Sequence, residues 1–486
     1  MEADPNNLAA EPGRVTVQLK NDNGDDLGAP LDVPLSTTTT ELQQLCNSLL
    51  ESDEVVPCNF YVDNTMITGT LADAVEQLPL FSFEKVLDIV YQLQAIFRVH
   101  PVSRCTSSLP GHEQPIVAAQ FSPDGRYLAT GSGDTTVRFW DINTELPHTT
   151  CTGHSSWVLC ICWSPDGQKL ATACKGGQVR LWNPENGKPI GKPLLQHSAY
   201  VSCLAWEPLH MNEDCRYLAS ASKDATICIW DTILQQCSRR LSGHTACVTC
   251  IRWGGEGLLY SASQDRSMKV WRPADGTLCR TLQGHGHWVN TMALHTDYAL
   301  RTGAFDPKDA QIVPSDQIND RKTLKSLAMK RYAQAKSTND EVERLVSGSD
   351  DFTLFLWLPS VDKKPVARMT GHQQLVNQVM FSPDGRLIAS ASFDKSIKIW
   401  CGRSGKYITS LRGHVQAVYQ ISFAADSRLM VSGSKDSTLK VWNVREGKLA
   451  LDLPGHADEV YVVDWSPDGQ RVVSAGKDKL LRIWRK

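Results

Sequence analysis

The chain has 486 residues, 41% of them apolar and 21% charged, which is the composition of a soluble globular protein and not of a disordered or fibrous one. No run of about 18 apolar residues is present, so no helical membrane span is expected, and the opening MEADPNNLAAEPGR lacks the basic-then-apolar layout of a secretory signal. Fifteen cysteines in the intracellular setting this implies suit reduced, packed thiols better than a disulfide framework.

The net charge of −3 is unevenly placed. Residues 1–95 carry 16 acidic groups against Arg14, Lys20 and Lys85, or −13, which leaves +10 for the remainder. An acidic head on a basic body suggests different partners for the two parts, with the body near nucleic acid, unless the charge only keeps each surface solvated.

Residues 1–13 are expected to be flexible and 14–95 to form a first domain. Val15, Val17 and Leu19 alternate with polar residues, NDNGDDLG follows, and Leu31 and Val33 alternate again, the pattern of a β-hairpin. Thr38 and Glu41 then form a capping-box pattern, and Leu42, Leu45, Cys46 and Leu49 mark one apolar stripe of a helix. Phe60 with Val62, and Leu87 with Ile89 and Tyr91, supply two further strands. The order ββαβ…β over roughly 80 residues matches a ubiquitin-like β-grasp, a small α+β domain.

Residues 96–108 are read as a junction, and 109–486 as a ring of repeats. Tryptophans stand at 140, 182, 230, 271, 357, 400, 442 and 484, spaced by 41 to 48 residues with one interval of 86. Gly-His pairs end at His112, His154, His244, His285, His372, His414 and His456, with a Gln-His variant at His197. Eight propeller blades follow, so the chain is mainly β. Pro123-Asp124-Gly125, Pro165-Asp166-Gly167, Pro383-Asp384-Gly385 and Pro467-Asp468-Gly469 mark hairpin tips, where proline presets one dihedral and glycine accepts a positive one.

An aspartate lies six residues before the tryptophan at Asp134, Asp224, Asp265, Asp351, Asp394, Asp436 and Asp478, often with a serine two residues earlier still. Histidines in such sets can be metal ligands or bases, but one set per blade, evenly distributed, points to a buried structural network. The sets are His112/Asp134/Trp140, His244/Asp265/Trp271, His372/Asp394/Trp400, His414/Asp436/Trp442 and His456/Asp478/Trp484, with blades three and five alike. Blade two departs, with Gly176 in place of aspartate and Cys174 in place of serine, so His154 is expected to be less firmly held. The last unit has three strands of its own, and Ile96–Ser107 is expected to supply the fourth and close the ring.

An insertion, residues 296–343, interrupts blade five and is too long for a turn. Within it Asp320 can cap a helix with Leu324, Leu327, Ala328, Tyr332 and Ala335 on one face. Arg321, Lys322, Lys325, Lys330, Arg331 and Lys336 either contact RNA phosphates or form a solvated basic face of a helix lying on the propeller. Trp157, Tyr200 and Trp288, each three residues after its blade's histidine, together with Phe393, are candidates for protein contact on one rim, or for blade packing.

No Walker loop, His-Glu-x-x-His motif, Gly-x-Ser-x-Gly elbow or dinucleotide fingerprint is present, so no enzyme activity is expected. Cys247 and Cys250 have C-x-x-C spacing, but an offset of three within a strand sends side chains to opposite faces, and no second ligand pair follows; they are read as core.

The eight units resemble WD repeats. Their combination with the acidic head, and with the stretch from Tyr91 to Cys105 that leads into Gly111-His112, is similar to the Notchless homologs, a family of large-subunit ribosome assembly factors. The resemblance implies that the head docks on midasin, an AAA ATPase, at a metal-ion-dependent adhesion site. There a head carboxylate completes the shell of a divalent cation, magnesium being expected, which the partner holds. The matching residue is Glu84 in Ser82-Phe83-Glu84-Lys85-Val86-Leu87, with Asp73 and Glu76 as fallbacks; the plain alternative is one more solvated acid.

The propeller would sit on the pre-60S particle while ATP-driven movement of midasin pulls the factor off. The chain itself would be a monomer of the nucleolus and nucleoplasm, without intrinsic metal or cofactor and without a membrane partner. The family name implies a link to the Notch receptor, although no residue pattern identifies a contact. Competing classes are a signalling scaffold and a cullin-ligase substrate receptor, the latter resting on Trp442-Asn443-Val444-Arg445.

Overall fold

The computed structural model describes residues 14–21, 26–49, 58–62, 65–67, 69–76, 86–93, 99–306, 320–337 and 342–486. The chain forms two compact units, Met1–Arg98 and Val99–Lys486. The stretch 1–13 lies outside the described residues, as does 96–98 of the expected ring-closing segment.

The head contains β1 (Arg14–Lys20), β2 (Asp26–Pro34), α1 (Thr39–Leu49), β3 (Cys58–Val62), β4 (Thr65–Met66), α2 (Leu71–Glu76) and β5 (Leu87–Leu93). Its sheet order is β2-β1-β5-β3-β4, with β1 parallel to β5 and the other pairs antiparallel. The period-two strands bury Val15, Val17, Leu19, Phe60, Leu87 and Ile89 against Leu42 and Cys46 of α1, with Leu45 and Leu49 at the margin. At the start of α1 the Thr38 N–H donates to the Glu41 carboxylate at 2.8 Å, satisfying a helix-end donor.

This is a β-grasp. The β2 strand begins within the expected turn, at Asp26, because Asp26 and Leu27 pair with Lys20 and Leu19 across a bulge after Val17. Both β4 and α2 are too short to leave a periodic signal.

The second unit contains eight four-stranded sheets among its described residues, each opened by an inner strand that ends near a Pro-Asp-Gly or equivalent turn. In blade one the Ser122 hydroxyl donates to Asp124 at 2.5 Å and Gly125, at φ +73°, donates to the Ser122 carbonyl at 3.0 Å. At the opposite end of each blade the residue after the blade's aspartate is left-handed: Thr135, Ala225, Arg266, Phe352, Lys395, Ser437 and Lys479, with Gly177 in blade two. Such a backbone costs a non-glycine residue energy, and the aspartate offsets it by accepting the next N–H, as Asp134 does from Thr136 at 2.9 Å.

The last blade draws its outer strand from the other end of the unit. The strand β6 (Arg104–Leu109) pairs antiparallel with Leu481–Arg485, and Ser103 adds a bond to the Arg485 carbonyl at 2.7 Å. The closing strand therefore starts well inside the segment expected from sequence and runs two residues past it. Glu145 of blade one clamps both partners, pairing with Arg485 at 2.6 Å and accepting from the Thr106 and Ser107 hydroxyls. No described helix is long and apolar enough to cross a membrane.

Candidate functional site

In blade one, His112 Nδ1 lies 2.8 Å from Asp134 and Nε2 lies 2.9 Å from the Thr130 hydroxyl, to which the Trp140 indole N–H also donates at 2.9 Å. The hub oxygen is a serine in blades three to eight. Ser220 joins His197 to Trp230, Ser261 joins His244 to Trp271, and Ser347 joins His285 to Trp357. Ser390 joins His372 to Trp400, Ser432 joins His414 to Trp442, and Ser474 joins His456 to Trp484.

The sequence groups Trp271, Trp400 and Trp484 with Asp265, Asp394 and Asp478, and the structure shows how these groups connect. An indole has a single N–H, and in these three residues it goes to the hub serine, at 2.8, 2.9 and 2.8 Å, and not to the aspartate. The aspartates reach only the other histidine nitrogen, at 2.6, 2.8 and 2.7 Å. At 2% exposure Trp271, Trp400 and Trp484 are blade core, so they fix geometry and present nothing to a ligand.

The serine two residues before the aspartate accepts the aspartate's own N–H, as Ser392 does from Asp394 at 3.1 Å, and the hub stands two residues earlier again. Both hydroxyls belong to one alternating strand, so spacing alone did not separate them.

Burial opposes ionisation of Asp265, Asp351, Asp394 and Asp436, yet hydrogen bonds from histidine, a following hydroxyl and backbone N–H hold each well below the usual carboxylate range. In these blades every member of the set is satisfied within its own blade, the arrangement of a structural network.

Blade two keeps the hub, with His154 Nε2 and the Trp182 N–H both on Thr172 at 2.7 Å. Without an aspartate at Gly176, the buried Nδ1 of His154 has no hydrogen-bond partner. Burial, helped by the Arg180 charge, pushes the His154 pKa down to about 4.

The blade-five insertion begins with α3 (Asp297–Thr302) and ends with α4 (Arg321–Ser337). Asp297 pairs with Arg252 of blade four at 3.3 Å, and Arg301 pairs with Asp464 of blade eight, which also accepts the Phe121 N–H of blade one at 3.0 Å. A six-residue helix thus braces inner strands on opposite sides of the ring. Asp320 caps α4 through the Thr323 hydroxyl at 2.7 Å, and Leu324, Ala328 and Tyr332 are buried, with Leu327 partly so.

The six basic residues divide. Arg321 pairs with Asp214, Lys336 with Glu256 at 3.0 Å, and Arg331 with Asp306 at 3.5 Å while also donating to the carbonyls of Gly303 and Phe305. Lys322 and Lys330 are exposed and Lys325 is half-buried.

Tyr332 stacks on His210 at 4.4 Å and packs so closely on Gly255 that a Cβ there would lie 2.1 Å from its ring. The insertion is anchored by Glu343, fully buried, which accepts from the Gly255 N–H at 2.8 Å, the Thr296 hydroxyl at 3.2 Å and the hydroxyls of Tyr260 and Tyr332 at 3.3 Å. Burial pushes its pKa from 4.5 up to about 7. The folded chain then holds this proton more tightly than the unfolded chain, so stability falls as pH rises through that window. Glu343→Gln is expected to remove about 3 kcal/mol of that decline between about pH 5 and 8, read from urea melts across pH.

One rim of the ring is set by a repeated backbone bond from the residue after the second strand to the residue three past the histidine. It joins Lys175 to Trp157, Lys223 to Tyr200, Asp350 to Trp288 and Phe393 to Leu375. Trp157 and Trp288 are 45% and 44% exposed, too much for blade packing, whereas Tyr200 and Phe393 are half-buried. Lysines lie over two of the rings, Lys175 at 5.9 Å from Trp157 and Lys223 at 5.5 Å from Tyr200. Phe393 therefore occupies the partner position and packs edge-on against Tyr419 at 5.8 Å, which meets Tyr461 at 5.7 Å. These two tyrosines sit second in their inner strands, where the apolar pattern concealed them.

In the head, Asp73 is committed to its own helix, its Oδ2 accepting the Thr70 N–H and hydroxyl at 2.8 Å each. Those bonds hold its carboxyl below the usual range. Glu76 ends α2, and Glu84 lies outside the described residues. Among the described residues no group of three or more His, Cys, Asp or Glu is arranged to hold a metal. Cys247 and Cys250 are buried, one against the Tyr200 hydroxyl and one toward the Met292 carbonyl. Trp442 and Val444 are core residues of blade seven, and only Arg445 of that motif is exposed.

Fold and site define a WD-repeat propeller protein with a ubiquitin-like head. The NLE (NUC135) domain family matches residues 15–75, the WD domain, G-beta repeat family matches 363–401, 405–443 and 447–485, and the IFT122 first beta-propeller family matches 102–306. The computationally designed Ika8 protein, solved by crystallography, shares the fold at a TM-score of 0.61 and 24% identity, over 78% of this chain and 98% of that one.

Protein Notchless of Drosophila melanogaster is 55% identical over 78% of this chain and 76% of its own length. The Notchless protein homolog of Arabidopsis thaliana is 50% identical over 83% of each. Ribosome assembly protein 4 of Saccharomyces cerevisiae is 46% identical over 80% and 78%. The chain belongs to this Notchless and ribosome assembly protein 4 family.

Proposed function

We propose that the chain is a non-catalytic adaptor in assembly of the large ribosomal subunit, with its propeller on the pre-60S particle and its head gripped by the midasin ATPase. The observation that carries this reading is the match to ribosome assembly protein 4, which spans four fifths of both chains. An adaptor role also suits a propeller in which the histidine that opens each blade is tied to a hydroxyl of its own blade. The working location is the nucleolus and nucleoplasm.

The divalent cation belongs to midasin, and the head supplies one oxygen ligand to it. Glu84 is that ligand by the family resemblance, with Glu76 as the fallback, whereas using Asp73 would uncap α2. Trp157, Trp288 and the Phe393 cluster meet assembling proteins, and Lys322, Lys325 and Lys330 face RNA phosphates. Movement of midasin during ATP hydrolysis then pulls the adaptor from the particle, and this chain transmits force without breaking a bond.

Glu84→Ala in the full chain is expected to weaken midasin binding at least about 100-fold, as does EDTA on the wild type, while pre-60S association persists. Binding that survives both treatments excludes the carboxylate–cation contact.

A further inference from the structure

Seven blades seat an aspartate beside the histidine that opens them. One oxygen of that carboxylate lies 2.6–3.0 Å from the histidine Nδ1. The same oxygen accepts the N–H of the residue after the histidine at 2.8–3.4 Å. Its second oxygen takes the hydroxyl of the residue two places on, as from Thr136 at 2.7 Å in blade one.

Blade two keeps the groups around this seat but has Gly176 at the aspartate's position. Trp182 already donates to the Thr172 hydroxyl, so the hydroxyl proton goes to His154 Nε2 and the ring proton sits on Nδ1, a buried donor without a partner. Gln178, two places after Gly176, likewise buries a side-chain oxygen that has no partner. A Cβ at 176 would lie 2.8 Å from the Ser155 hydroxyl and at ordinary contact distance, 3.6 and 3.8 Å, from Cys174 and Ser156. Of these neighbours only the hydroxyl, on an exposed residue, would have to turn aside.

The surroundings are cationic. Arg180 acts on His154 as Arg138 acts on His112, but blade one balances that charge with Asp134 and nothing at Gly176 does so. At the rim above, Lys175 is exposed and lies 5.9 Å from the Trp157 ring, which packs beside Gly133 of blade one and is 45% exposed.

We propose that a binding partner completes blade two, an aspartate or glutamate side chain of an assembling protein taking the place that Asp134 holds in blade one. The incoming carboxylate accepts from His154 Nδ1 and the Ser155 N–H, and Lys175 and Trp157 hold the chain on either side of it. A planar carboxylate is what seven sister blades hold in this seat, which favours a peptide acid over the bulkier phosphodiester of RNA. The proposal rests on the reading of the propeller as a platform for assembling proteins, and it gives one contact of that platform its chemistry.

The test is a displayed library of random dodecapeptides selected on the full chain, with affinities measured on synthetic copies. Enriched peptides are expected to share an acidic residue whose change to its amide weakens binding at least about 10-fold. Gly176→Asp, which supplies the carboxylate from the chain itself, is expected to weaken the same peptides at least about 10-fold and to raise the melting temperature by about 2 °C. Trp157→Ala, at an exposed position, weakens them without moving the melt. The proposal is overturned by a library that yields no acid-dependent binder, by peptides that bind the Gly176→Asp chain as tightly as the wild type, or by a Gly176→Asp chain that melts no higher than the wild type. It is equally overturned if oligouridylate, and no peptide, is the ligand that Gly176→Asp displaces. Such failures leave migration with precursor large subunits untouched, whereas failure of the platform reading removes that migration and leaves peptide binding in place.

Discussion

Deleting residues 104–109 will abolish the single cooperative melt of the propeller, a loss of at least about 5 kcal/mol and comparable to the stability of a whole domain. Without β6, Leu481–Arg485 becomes an open edge with a row of backbone groups facing water, and Leu109 leaves the cluster formed with Phe121 and Ile483. Glu145 loses its Thr106 and Ser107 donors and keeps Arg485 alone. A ring divides strain among all its interfaces, so opening one seam weakens every blade. Ser107→Pro makes the same test with one residue, since proline cannot donate to the ladder. A peptide covering residues 100–110, added in trans, is expected to restore part of the lost stability. Calorimetry that finds the deleted chain melting with the wild type contradicts this role.

Asp436→Ala is expected to cost about 2–4 kcal/mol at neutral pH. Its carboxylate accepts from His414 at 2.9 Å, the Val415 N–H at 3.0 Å, and the Thr438 N–H and hydroxyl at 3.1 and 2.7 Å. Alanine leaves those donors facing a cavity and withdraws support from the left-handed Ser437. Because the folded-state pKa of Asp436 is depressed, its stabilisation is present above the ordinary value of 3.8 and lost as pH falls below it. The gap between mutant and wild type should therefore narrow in acid, and a gap that is unchanged by about pH 3 would point to packing instead. Blade two, where His154 already lacks such a partner, is expected to lose far less when Thr172 is replaced by serine than blade seven loses with Asp436→Ala.

Long-period features were the legible ones. Tryptophan and Gly-His spacing announces the blades because a blade repeats over some forty residues, and Asp320 followed by an apolar stripe announces α4 because three turns are enough to show a face. The short elements β4, α2 and α3 left no period, and α3 is the piece that braces Arg252 and Asp464 across the ring. Spacing does not single out the hub hydroxyls, because Ser390 and Ser392 share one alternating strand and only geometry tells which meets Trp400. The same holds for Trp271 and Trp484, whose place in the network spacing announced but whose partners, Ser261 and Ser474, it did not. A row of thiols was invisible for a different reason: Cys160, Cys203 and Cys250 are far apart in sequence and line up only once the inner strands are side by side, each against a carbonyl of the next blade. The basic helix shows the limit of charge counting, since Arg321, Arg331 and Lys336 serve the chain's own acids.

The adaptor reading is tested most directly by sucrose-gradient sedimentation of the tagged full chain from cells. It predicts migration with precursor large subunits, and accumulation of the Glu84→Ala chain in those same fractions because its release has stalled. A chain that sediments free of ribosomal RNA, with the mutant distributed like the wild type, contradicts it.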